Sequence, residues 1–424
     1  MKIKLADHSY NFYLARGGGG GSSSGGGGGS SSGGSSSSSS SSHSSSSSSG
    51  GSGAALLWWE TLIIVAIIFG IPILFIFLAI KYGKKISSVA GPPAGYIDPE
   101  EKGSEEEKKL VGQAKDVFMQ FQAAWSQFDH KSMQKFLSSE FHKKMVLELS
   151  VLQNYKRQND MQNIAIAKAY ILKSNDYTKN FSIFFMASAT DKLIDQNEGN
   201  TIYTDNSSFT EIWNFVRSGK TIRLDKISQT TEDASKFNPA IAEFSTANNF
   251  YYDPDFGWLM MPSRGAIFGA TGFGNADINN HVIGYYKDKK RGEKIVEFYS
   301  YEPKAGAGMQ PFTVAQAILP KSYDDILVTE KSWYDFKPKA KGLTKVETES
   351  VEFNKKFSIW AADADKATSF ELLATNFMER IYVLGFEINI EVIDNVLYLY
   401  SPSKNIAYDD MLEVLSWAFE EMKM

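Results

Sequence analysis

Residues 110–128 read LVGQAKDVFMQFQAAWSQF. Leu110, Ala114, Val117, Phe121, Ala124, Trp125 and Phe128 recur at steps of three and four, which puts them on one face of an α-helix. Downstream, Met133, Phe136 and Leu137 mark a short helix. Ser138 or Ser139 can cap a third helix whose apolar side carries Phe141, Met145, Leu149, Leu152 and Tyr155. After Asp160 the period falls to two. The alternating runs are IAIAKAYIL (164–172), FSIFFMASA (181–189), FTEIWNFV (209–216) and TIRLDKI (221–227), with turn chemistry at 195–200 and at Ser218-Gly219-Lys220. Helices first and antiparallel strands after them is an α+β layer order. The sheet is expected to curl around the long helix as a cone with an apolar interior. Its aromatics Phe121, Trp125, Phe128, Phe184, Trp213 and Phe215 are mainly core, and are the candidates to line an opening for an apolar ligand or a peptide.

The run Val117 to Trp125, Asp129, the stretch Leu137 to Phe141 and the strand FTEIWNFVR ending at Arg217 resemble the Tim-forty-four-like domain, over about Glu107 to Thr230. That family is named after the matrix-side anchor of the mitochondrial inner-membrane import motor. The resemblance implies a nuclear-transport-factor-two-like cone that binds protein or lipid partners at a membrane and performs no catalysis. Its bacterial relatives share an order of glycine-rich segment, span, spacer and domain.

The polar stretch Thr230 to Asn238 sets a boundary, with the cone at 107–232 and a second α+β domain at 239–424. Strands are expected at Trp258–Met261, Val282–Tyr286, Ile295–Tyr299, Phe312–Leu319, Ile326–Val328, Glu387–Val392 and Val396–Tyr400. A helix is expected over Asp363–Leu384, with Phe370, Leu373, Phe377, Ile381 and Leu384 on one face, and a last helix over Tyr408–Met422. The run ESVEFNKKFSI (349–359), Asp363 and ATNFMER (374–380) resemble a family of uncharacterised domains in bacterial membrane-associated proteins.

Upstream of the folded mass, 17–53 is Gly and Ser apart from His43, and Thr61–Ile80 carries no charge. Twenty residues at about 1.5 Å each cover about 30 Å, a bilayer's hydrocarbon thickness. Trp58 and Trp59 on one side and Tyr82 on the other suit the interfaces, and Gly70 and Pro72 are tolerated in lipid. Lys81, Lys84 and Lys85 follow the span, while no Lys or Arg lies between Gly17 and Glu60. Positive-inside then puts the C-terminal side in the cytoplasm, for a single-pass protein of the inner (plasma) membrane. The Gly/Ser tract cannot bury apolar surface and is expected to be a disordered tether. Residues 1–16 lack the continuous apolar core of a signal peptide. The span with its flanks covers 57–82, and a polar spacer covers 83–106.

The chain of 424 residues has no Cys, net charge −5 and 29 Phe with 20 Tyr. Missing Cys excludes disulfides, thiolate chemistry and Cys-ligated zinc. The acidic balance without a basic stripe makes nucleic acid an unfavourable partner. His130 and His142, with Asp129 or Glu140, are the residues from which a cone-fold hydrolase or isomerase would be built; solvated helix ends are the simpler reading. Gly269, Gly272 and Gly274 lack a following Gly-Lys-Ser/Thr. Asp253, Asp255 and Asp277 lack the acid spacing of a calcium loop. The expected function is therefore a membrane-anchored, non-catalytic binding or adaptor protein that uses no cofactor or metal and assists translocation, insertion or assembly at the membrane. The alternatives are the cone-fold enzyme and a structural envelope component.

Overall fold

The computed structural model describes residues 91–424, apart from 231, 258, 261, 263–264, 266–275, 289–291, 304–310, 332–341, 363–371 and 403–405. The N-terminal segment, the tether, the span with Trp58, Trp59, Lys81, Tyr82, Lys84 and Lys85, and the Gly269–Gly274 motif lie outside them. Among the described residues no helix is long and apolar enough to cross a membrane.

The first sheet is built from β1 (Tyr96–Ile97), β2 (Arg157–Leu172), β3 (Asn180–Asp195), β4 (Thr201–Asp205), β5 (Ser208–Ser218) and β6 (Thr221–Gln229), in the order β1-β2-β3-β5-β6 with β4 beside β3. All its pairings are antiparallel. Four helices precede β2: α1 (Pro99–Lys102), α2 (Glu105–Ser126), α3 (His130–Met133) and α4 (Ser139–Asn154). The helices α2 and α4 and strands β2, β3, β5 and β6 follow the sequence periodicity.

The spacer expected to reach residue 106 takes regular structure from Tyr96 onward. Tyr96 and Ile97 pair with Leu172 and Ile171. A capping box starts α2: Ser104 N donates to Glu107 Oε2 at 2.6 Å and Glu107 N to Ser104 Oγ at 3.3 Å. Glu107 is also buried under the Tyr177 hydroxyl, 2.7 Å away, and its carboxyl is held down to about 2, mainly by the Ser104 N–H.

Curvature comes from β2. Its register with β3 shifts between Gln162 and Ala165 and again between Ile166 and Lys168, with Asn163 in the left-handed region at φ 51. Such bulges bend a strand and raise its twist. The bent sheet wraps α2, whose Phe118 meets Phe185 at 4.8 Å and Trp213 at 4.7 Å between ring centroids.

After a 3₁₀ turn at Ala234–Lys236, α5 (Pro239–Asn248) leads into the second sheet. Its strands are β7 (Tyr251–Gly257), β8 (Ala276–Asp288), β9 (Gly292–Pro303), β10 (Phe312–Glu330), β11 (Thr344–Val346), β12 (Phe357–Ala361) and β13 (Asn389–Ser401). The order is β11-β12-β10-β9-β8-β7, with β13 also on β10. The helices are α6 (Val351–Lys356), α7 (Thr375–Tyr382) and α8 (Tyr408–Glu421). Two pairs of expected short strands are single long ones here, β10 and β13. β10 passes two register shifts against β13 and pairs with β9 in its first half and β12 in its second. Of the strand expected at Trp258–Met261, the described residues Leu259 and Met260 lie in a turn after β7. Of the helix expected over Asp363–Leu384, the described part is α7, preceded by a 3₁₀ turn at Leu372-Leu373. In β8, Gly284 makes room for Phe250, whose Cδ1 lies 1.9 Å from where a Cβ would be.

The second sheet is buried on both faces. Val296, Phe298, Ala315, Ala317, Leu397 and Leu399 pack with α5 and α8. The alternate residues Tyr299, Tyr301, Val314, Tyr398 and Tyr400 join the same core as Phe118, Phe121 and Trp213 of the first sheet. One apolar core thus runs across both sheets.

Phe118 is fully buried whereas Leu172 is 37% exposed. Phe118→Ala should cost about 3–5 kcal/mol, and Leu172→Ala less than about 1 kcal/mol. Urea unfolding followed by Trp fluorescence distinguishes them; equal losses would contradict a core centred on α2.

Candidate functional site

Helix α4 has two buried faces. Phe141, Met145, Leu149 and Leu152 turn into the first sheet's core, as their spacing requires. Lys144, Glu148 and Tyr155 follow each other at steps of four and seven on a second stripe, which meets the second sheet. The Lys144 ammonium donates to both carboxylate oxygens of Asp253 on β7, at 2.9 and 3.1 Å, and stands 3.4 Å from Glu148 Oε1. Lys144, Glu148 and Asp253 are 2%, 1% and 0% exposed, so water screens none of these interactions.

About two turns beyond Glu148, the Tyr155 hydroxyl donates to Glu297 Oε2 on β9 and accepts from Gln316 Nε2 on β10. Gln316 Nε2 also donates to Glu297 at 2.6 Å, and its carbonyl accepts from the Tyr299 hydroxyl at 3.0 Å. His281 on β8 places Nε2 3.0 Å from Glu297 Oε1 and stacks its ring on Phe256, 4.0 Å away. All of these residues are buried. Burial raises the Tyr155 hydroxyl far above its usual range, with the Glu297 charge adding to it.

Burial likewise pushes the Glu148 carboxyl up to about 8; Lys144 opposes this and the Asp253 charge adds to it. At the link between the sheets Glu232 is raised by burial to about 7, partly offset by the Gln229 N–H. One buried ammonium facing two carboxyls favours keeping a proton on one of them.

Chemically, this seam fixes two sheets in one register. A cavity of about 30 Å³ bordered by Asn154, Tyr155, Arg157, Asp394 and Tyr398 reaches its end, a volume that admits about one water. Among the described residues no set of three His, Asp or Glu side chains is arranged to hold a metal. Asp253 is taken by Lys144, and Asp255 by Lys236 at 2.9 Å. The side chain of Asp277 lies outside the described residues.

The six aromatics do not surround one opening. Phe121, Trp125, Trp213 and Phe215 pack together, with Phe121 edge-on to Trp213 at 5.5 Å. The indole N–H groups are satisfied internally, Trp125 by Asn159 and Trp213 by Glu211, both at 2.8 Å. Phe128 packs half-buried at the margin, with φ at 55. Phe184 lies on the sheet's other face against Tyr96 and Tyr170, at 5.9 and 6.0 Å. His142 Nε2 lies 2.8 Å from the His130 carbonyl oxygen. Asp129 caps α3 and Glu140 pairs with Lys143 at 2.7 Å, so neither acid orients a histidine.

Residues 104–229 match the Tim44-like domain, and residues 312–422 match a protein of unknown function (DUF3137). A Tim44-like domain is present. It takes in α2 to β6, and the DUF3137 match takes in β10 to α8. No curated protein sequence matches the chain. Among solved structures, the mycobacterial trehalose monomycolate transport factor A, TtfA, is 13% identical over 43% of this chain and 92% of its own, with a TM-score of 0.33. The intermembrane space region of chloroplast protein ARC6 is 16% identical over 28% and 95%, with a TM-score of 0.23. An Ntf2-like protein involved in plasmid conjugation is 12% identical over 50% and 90%, with a TM-score of 0.20. Superpositions this partial say nothing about function.

The sequence reading missed the seam because Lys144 and Glu148 look like the wet side of an amphipathic helix. Two signals were there to be read. Leu147 and Val151 put apolar residues on that supposedly wet side, and Asp253, Glu297 and Gln316 each interrupt an apolar strand run.

Lys144→Met leaves Asp253 and Glu148 buried without their cation and should cost about 3–5 kcal/mol. Adding Asp253→Leu should recover most of that loss in urea midpoints; a double variant as unstable as the single one would remove the pair from the account. A second expectation concerns pH. A carboxyl with a raised folded-state value gives a contribution that is complete below about 4.5 and lost as pH climbs through 7–8. Glu107, held at about 2, acts oppositely, adding stability as pH rises through 2–4.5. Stability should therefore peak near pH 5 and fall by a few kcal/mol by pH 8.5. Glu148→Gln should flatten the fall, as read from urea midpoints at both pH values; an unchanged fall would rule out Glu148 as its source.

Proposed function

We propose that this chain is a membrane-anchored, non-catalytic adaptor. Thr61–Ile80 would hold it in the bilayer, and the Tim44-like body with its second sheet would recruit a protein or lipid partner at the cytoplasmic face, in translocation, insertion or assembly. The observation that carries this reading is the mutual engagement of the buried groups. The ionisable side chains of the seam are tied to one another across two sheets, and the aromatic interior is filled by its own rings. Such an interior suits a rigid scaffold that presents surface to others. The Tim44-like match over 104–229 supports the same reading. His130 and His142 sit at helix ends without an orienting acid, which gives the enzyme reading no geometric support.

Topology is the direct test. The chain has no Cys, so single cysteines at Ser36 and at the exposed Ser235 report cleanly to a membrane-impermeant maleimide on intact cells. The adaptor reading expects Ser36 to label and Ser235 to label only after permeabilisation. Labelling of Ser235 in intact cells would overturn a cytoplasmic role and make the body outward-facing.

A further inference from the structure

Away from the seam, α6 and α7 border a surface groove of about 410 Å³. Phe353, Met378, Tyr382 and Val383 give it an apolar floor and wall, and Glu352 and Glu379 stand among its lining residues. Val383, Val351 and Tyr382 are 77%, 65% and 39% exposed, three of the largest apolar exposures in the body. Of these, Tyr382 and Val383 are among the groove's lining residues, an apolar exposure of the kind a surface seldom leaves without use.

The groove's chemistry narrows its occupant. Its walls are helices whose backbone groups bond internally, so they offer no ladder to an added strand. No Lys or Arg is among its lining residues. Glu352 shares its charge with Lys355 at 2.6 Å, while Glu379 is exposed and makes no ion pair among the described residues. Lys356 donates to the Tyr382 carbonyl at 2.9 Å, lies 5.5 Å over the Tyr382 ring and is 3.6 Å from Glu330. Beside the apolar floor, the Glu379 carboxylate favours an occupant with a cationic flank. The chain's own net charge of −5 acts in the same sense at longer range.

We infer that the α6–α7 groove docks an amphipathic helix of a partner protein, one with apolar anchors at helical spacing and Lys or Arg beside them. This rests on the adaptor reading and adds to it the chemistry of the partner and the place where it binds.

The test uses the full chain in phosphatidylcholine nanodiscs and two fluorescein-labelled model helices of 18 residues. Both carry the same leucine face; one has lysine flanks and the other glutamate flanks. Empty nanodiscs serve as the control. Anisotropy should show the lysine-flanked helix binding at least about tenfold tighter than its counterpart. Glu379→Lys should erase that preference, and Val383→Glu should abolish binding of both. Both substituted side chains are exposed, and circular dichroism checks that each variant is folded. Equal binding of the two helices, or insensitivity to either substitution, overturns the inference. A photoreactive residue at Ser235 separates this failure from that of the adaptor reading. A partner crosslinked there with no helix bound at the groove overturns the groove alone; no partner and no helix binding overturns both.

Discussion

The Lys144 side chain is almost wholly buried. Its ammonium is shut between a helix and a sheet, and the Asp253 carboxylate, with the Glu148 carboxyl beside it, is what makes that tolerable. This one constraint ties α4 to β7 and so ties the first sheet to the second. Helix α4 cannot be withdrawn from the second sheet without exposing apolar side chains and separating a buried pair. The Tyr155–Glu297–Gln316 bonds, about two turns beyond Glu148, repeat the constraint against β9 and β10. Polar contacts of this kind add little net stability over an apolar seam, but they penalise every misaligned packing, which an oily interface would tolerate.

A second sheet buried on both faces follows from the same arrangement. Its strands alternate between residues that meet α5 and α8 and residues that meet the first sheet's core. The long, bent β10 lets one strand serve β9, β12 and β13 at once. On the proposed reading, such a body suits a scaffold near a membrane: its interior stays fixed and partners meet its outside.

Much of the first sheet was legible because its periodicities are clean. Val117, Phe121 and Trp125 on α2 and the alternation through 181–189 leave little choice of element or face. The six aromatics were legible as apolar, but not as two groups, because Phe184 follows Ile183 by one residue and a one-residue step reverses its side of the sheet. The second domain was harder. Residues 312–330 contain Pro320 and Lys321, which read as a break yet sit where the strand bends against β13. The seam was hidden for a more general reason. A buried ion pair looks in sequence like two surface charges, and its partners lie more than a hundred residues apart, as Lys144 and Asp253 do.

Native-state hydrogen exchange on the full chain tests the central claim that the two sheets form one body through α4. The account predicts that amides of α4, of the middle of β3 and of β10 exchange only through a common global opening, with one free energy and one denaturant dependence. Exchange of the first sheet and α4 at a different free energy from the second sheet would show two separately opening units, and the seam would then be a contact rather than the constraint on which the fold depends.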